Sequence, residues 1–195
     1  DVLVSGTIFL GKMVEPVSST KNPYSKMEMG VPYTQTPKFL QFDYRLVAPA
    51  GAPIYSSGFG SKKKLSGRDN AEVFVLLQRR WEDAKGNIHA ERVGTGRERF
   101  GKTTMGWVNK HRIPIWYGDI RHHAGYKSFM GLIPREKSYY ARNSKGKMKP
   151  VIEEKWAPVG TKPTHVLVML SSGCGTAYTG TVGMTLWVDN VAFVH

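Results

Sequence analysis

A glycoside-cleaving site needs two carboxyl groups flanking the bond. They stand about 5–5.5 Å apart when configuration is retained and 6.5–9.5 Å apart when it is inverted. On a strand such a pair would occupy positions i and i+2 of one face. The chain has 15 Asp and Glu residues but no Glu-x-Glu and no Glu-x-Asp-x-Glu. Glu153 and Glu154 are adjacent, and a strand would send them to opposite faces. Asp43, Glu72 and Asp189 are distant in sequence, so only the fold could make them converge. A hydrolase or lyase built on converging groups is therefore a second reading.

Other reactive types are sparse. Cys174 is the single cysteine and lies between two glycines. It excludes an intrachain disulfide, and no Cys-His signature surrounds it. It is expected to be dispensable. His122 and His123 would diverge on a strand, which argues against zinc. Asp189-Asn190 is a weak calcium candidate, because hard cations take carboxylate and amide oxygens. The plainer reading is that both residues shape a turn in the last strand. No cofactor is expected beyond that structural calcium.

Aromatic side chains are the better lead. A flat ring covers the C–H face of a sugar at low entropy cost, and polar neighbours bind its hydroxyls. Trp81 and Trp116 stand at strand ends. Tyr139, Tyr140 and Trp156 fall in the segment Gly118–Pro163, which is rich in Arg and Lys. With Arg79 and Arg121 they form the candidate ligand-binding set. Each ring could equally be packing.

The chain has 28 Lys and Arg, giving a formal net charge of +13. That makes anionic polymers plausible partners. No DNA- or RNA-binding module motif is present, so nucleic acid is disfavoured and an acidic glycan suits the charge as well. Hydrophobic residues make up 41% and charged residues 22% of 195, the composition of a folded domain. No apolar run is long enough to cross a membrane as a helix.

Alternation is the dominant pattern, which predicts strands. Lys38–Leu46 puts Leu40, Phe42, Tyr44 and Leu46 on one face. Glu72–Trp81 begins apolar on both faces and reads as a central strand. In His111–Tyr117, Pro114 marks an edge strand or bulge. Thr164–Leu170 reads as buried, and Met184–Val194 closes the chain. Val75, Leu77, Val166, Leu170, Leu186 and Val188 are the expected core. Turns are expected at Pro49–Pro53, Gly58–Gly60, Lys85–Asn87 and Gly173–Gly183. Glu15–Gln35 and Gly118–Pro163 read as long loops. The predicted fold class is all-β, an antiparallel β-sandwich of jelly-roll type spanning residues 1–195 as one domain.

Several motifs carry a resemblance. They are Ser5-Gly-Thr-Ile-Phe-Leu-Gly-Lys12, Gly30-Val-Pro-Tyr33, Pro37–Tyr44, Asp69–Leu77, and Trp107 with Ile113-Pro-Ile115. Lys162–Ser172 and Gly180–Asn190 complete them. In this order the chain resembles the putative carbohydrate metabolism domain of surface proteins from glycan-degrading gut bacteria. The resemblance runs from about Ser5 to the C-terminus. It implies a jelly roll excised from a longer exported protein, lipid-anchored at the cell surface or held in the periplasm. It implies a polysaccharide or oligosaccharide partner and assigns no catalytic set. The first functional reading is a non-catalytic carbohydrate-binding or carbohydrate-handling domain. A structural or adhesion module that binds protein is the third.

Overall fold

Alternating sequence becomes extended chain almost everywhere in the computed structural model, which describes residues 3–14, 22–57 and 62–195. The strands begin with β1 (Thr7–Phe9), β2 (Gly11–Met13), β3 (Met27–Met29), β4 (Val31–Pro32), β5 (Phe39–Val47), β6 (Ile54–Ser56) and β7 (Lys63–Leu65). The long hairpin β8 (Ala71–Glu82) and β9 (Ile88–Phe100) follows, then β10 (Val108–Pro114) and β11 (Trp116–Tyr117). The chain ends with β12 (Tyr140–Arg142), β13 (Met148–Trp156), β14 (His165–Ser171), β15 (Thr179–Gly180) and β16 (Thr185–Val194). Among the described residues the only helical elements are 3-10 turns at Pro23–Lys26, Ser128–Met130 and Arg135–Lys137. The all-β expectation holds.

The strands form a large sheet in the order β1-β14-β8-β9-β13-β12-β3-β2, a three-stranded sheet β10-β5-β16, and a small sheet β15-β6-β7. The main core lies between the first two. Val73, Val75 and Leu77 of β8 and Val166, Val168 and Leu170 of β14 meet Leu40, Phe42 and Leu46 of β5. Leu186 and Val188 are only half-buried against this core. Their strand, β16, is an edge of the three-stranded sheet, so one flank stays open. Pro114 predicted an edge strand or a bulge, and its strand, β10, is the other edge. Just after Pro114 the chain crosses to the large sheet, where β11 pairs with β9. The crossing is tight: a Cβ on Gly96 would stand 2.9 Å from the Pro114 carbonyl oxygen.

Three expectations are corrected. The ladders are not all antiparallel, since β13 runs parallel to β9 and β12 parallel to β3. And Gly118–Pro163 is not one loop, because it contains β12 and β13. Trp156 therefore ends a strand. The reading failed there because Met148–Trp156 looks polar, whereas its Glu153 points inward with a side chain 0% exposed. Glu154 lies on the outer side, as adjacency requires. Similarly, part of Glu15–Gln35 is the turn at Pro23–Lys26 and strands β3 and β4; residues 15–21, and the turn expected at Gly58–Gly60, lie outside the described residues.

The large sheet curls until its two edges share one stretch of chain. β1 pairs with β14 and β2 with β3, and Leu10 between them bonds both ways. Its N–H donates to the Val168 carbonyl at 3.0 Å, and its carbonyl accepts from Gly30 N–H at 2.9 Å. The concave face so formed holds a second core of Met29, Phe74, Leu76 and Leu167. Ile133 and Tyr139, from the covering segment between β11 and β12, pack against it.

Candidate functional site

Within this concave face, side chains alternate on β8 and β9, and polar groups cluster at both ends. At one end Arg92, wholly buried, forks onto Glu153. Glu153 also accepts from the Gln78 side chain at 2.6 Å and from Ile133 N–H at 2.7 Å. Burial pushes the Glu153 carboxyl up, but the Arg92 charge and these hydrogen bonds more than offset it and hold it below the usual range. Every oxygen is used, so this end is closed. The Ile133 bond also anchors the covering segment.

At the other end the face opens into a cavity of about 660 Å³, within the usual span of about 300–1,000 Å³ for ligand pockets. Glu72 stands in it with a side chain 3% exposed. Arg97 donates from Nε and Nη2 to its two oxygens at 3.1 and 2.9 Å. Arg99 donates from Nε to Oε1 at 2.7 Å. The register explains the meeting: Glu72 faces Arg99 across the β8·β9 ladder, and Arg97 is two residues away on the same face. Phe129 from the covering segment sits 4.3 Å from the Arg99 guanidinium, a cation–π contact. Tyr24 and Tyr139 meet edge-on at 5.5 Å and line the cavity with Phe74 and Met169. Burial raises the phenol pKa of both tyrosines, so neither is a ready base near neutral pH. Cys174 also lines the cavity, and burial raises its thiol pKa too.

The predicted site residues are dispersed. Tyr139 lines the cavity. Tyr140, next to it on β12, has its hydroxyl bonded by the Asn22 side chain at 2.6 Å. Trp156 packs on the Arg92 guanidinium at 5.6 Å. Trp81 is 43% exposed and stacks on His89 at 5.5 Å. Arg79, also on β8, pairs with Glu91, which bridges to Lys155 at 3.3 Å. Trp116 stacks on His123 at 3.7 Å, and Arg121 forks onto Asp119. Asp43 and Asp189 do meet, as partners on β5 and β16. There Asn190 donates from its side chain to Asp43 and from its N–H to Asp189, at a bulge in β16. Glu72 is on the other sheet. Among the described residues no group of three or more His, Cys, Asp or Glu is arranged to hold a metal.

Arg97, Arg99, Phe129 and Tyr24 were missed by sequence reasoning. A signal existed: two arginines at i and i+2 in a strand of small residues, and an acid opening an apolar run.

No protein-family model matches the chain, and no curated protein matches it. A solved structure does resemble it in fold, with a TM-score of 0.56 at 15% identity. It is described as a putative glycoside hydrolase from Bacteroides vulgatus, and the match covers 97% of this chain and 64% of that one. The chain thus spans less than two thirds of that protein. Among the described residues no helix is long and apolar enough to cross a membrane.

Proposed function

We propose that the protein is a non-catalytic carbohydrate-binding domain whose ligand enters the cavity beside Glu72. The observation carrying this is the lining. It joins apolar and aromatic surface to a few convergent polar groups, and Glu72 is the one carboxylate among the described lining residues. Glycoside hydrolysis ordinarily needs two, and the oxygens of Glu72 are already engaged by arginines. The motif resemblance to the putative carbohydrate metabolism domain supports the same substrate class, and so does the name given to the structural neighbour. On this reading the protein acts at a cell surface, as part of a longer exported and lipid-anchored chain of jelly-roll type. Trp81, Trp116 and Arg121 are then outlying contacts along a polymeric glycan. The neighbour's name favours the alternative, a glycoside hydrolase or lyase.

The test is a glycan array probed with the protein, followed by titration of the best ligand against Phe129→Ala. The expected loss is about 1–3 kcal/mol of binding, a range taken from aromatic stacking on bases, with the melting temperature nearly unchanged. Cleavage of any bound glycan would establish the alternative. No binding across the array would refute both carbohydrate readings.

A further inference from the structure

At the cavity two arginines share the carboxylate of Glu72. Arg97 uses Nε and Nη2 on Glu72, and Arg99 uses only Nε. Among the described residues, Nη1 of Arg97 and both terminal nitrogens of Arg99 make no hydrogen bond to any acceptor. Both arginines line the cavity, and Lys137 lines it too. Their side chains are largely shielded, Arg97 16% and Arg99 30% exposed. The closed end also holds a second arginine, Arg80, but it spends Nε on the Gln78 side chain and Nη2 on the Met29 carbonyl. Glu72 acts as a fixed counterion. It takes Nε of both arginines and Nη2 of Arg97, and leaves Nη1 of Arg97 and both terminal nitrogens of Arg99, the fork that binds carboxylate or sulfate in two-point fashion, to other partners. Phe129 over Arg99 holds that guanidinium in place.

We infer that the ligand is an anionic sugar, seated with its carboxylate or sulfate on the terminal nitrogens of Arg99 and Nη1 of Arg97. This rests on the reading of the cavity as a carbohydrate site, and deepens it. Neighbouring Tyr24, Tyr139 and Phe129 offer faces for the sugar's C–H surface.

The test is calorimetric titration of the whole protein with trigalacturonate, a 6-sulfated N-acetyllactosamine and cellotriose. Because the chain is strongly basic, Lys145→Gln/Lys147→Gln serves as the surface-charge control; both lysines are exposed and lie outside the cavity lining. Arg99→Gln should weaken the preferred anionic sugar about 10- to 100-fold, the scale of a lost charge-assisted pair, while the control stays within about twofold. Trigalacturonate against the sulfated sugar tells carboxylate from sulfate. Should Arg99→Gln fail to fold, Arg99→Lys keeps the charge and loses the fork, and should still bind at least fivefold more weakly. Cellotriose bound as tightly as either acid, with Arg99 variants unaffected, overturns the inference and leaves the carbohydrate reading standing. Acid binding that falls in the lysine control and not in the Arg99 variants also overturns it. Silence with all three sugars and across the glycan array overturns both.

Discussion

The two ends of the curled sheet hold the same chemical pieces but use them to different extents. At one end Arg92 forks onto Glu153, both side chains 0% exposed, with Gln78 and the Ile133 N–H filling what remains and Arg80 spent on Gln78 and the Met29 carbonyl. At the other, Arg97 and Arg99 share Glu72 beside an open cavity. The saturated cluster ties the covering segment to the sheet. The other retains bonding capacity. Unspent donors and access, not residue type, separate a structural cluster from a candidate binding group.

That contrast can be broken most forcefully at Glu153. Glu153→Ala strands Arg92 in the interior and should cost about 3–5 kcal/mol in chemical denaturation. The pair Arg92→Met/Glu153→Leu should recover most of that loss, since a buried pair replaced whole is often neutral. Because the Glu153 carboxyl is held below its usual range, its stabilisation is present above the unfolded pKa and disappears as pH falls through the folded one. Leu77→Ala, wholly buried in the main core, gives the scale for packing alone, about 2–5 kcal/mol by the same measurement. Leu186→Ala should cost clearly less, since Leu186 is half-buried.

Glu72→Gln sharpens the comparison. It should cost only about 1–3 kcal/mol, because its arginines reach solvent through the cavity. A loss matching that of Glu153→Ala would mean that the two ends are alike. His89 gives a smaller effect. Hydrogen bonding to Glu154 raises its pKa against the opposing effect of burial, and Asp83 adds to the rise. Its contribution is therefore full below about pH 6.5 and lost as pH rises through the higher folded value. The melting temperature should decline slightly over that window, and Trp81 fluorescence should change with it; in His89→Gln neither should occur. Cys174→Ser should leave melting temperature and ligand titration unchanged.

Much of the fold was legible. Alternation in Lys38–Leu46 and the apolar run from Glu72 announced β5 and β8, because each has a face that must be dry. β13 was hidden since its inward residue is Glu153, and a buried ion pair inverts the polarity that alternation depends on. Only the partner on β9 makes it readable, and pairing over 61 residues is not local information. The cavity was hidden for the same reason. Tyr139 was named for its ring and charged neighbours, yet Arg97 and Arg99 acquire meaning only when β9 places them opposite Glu72. Leu186 and Val188 show the converse: an apolar pattern foretells a strand but not whether that strand has a neighbour on both sides.

Leu10, the residue at which the large sheet's edges meet, bears on how the chain folds. Thr7 bonds Ser171 across 164 residues of sequence, and β5, centre of the three-stranded sheet, takes β16 as a partner. Loop closure over such spans must precede the contacts that compensate for it, which slows folding. The hairpin β8·β9 is the long pairing available locally. Assembly should therefore start there and accept β14 and then β1 late. Until then one rim of β8 is an unpaired apolar edge, and in refolding from denaturant aggregation should compete most strongly during that interval.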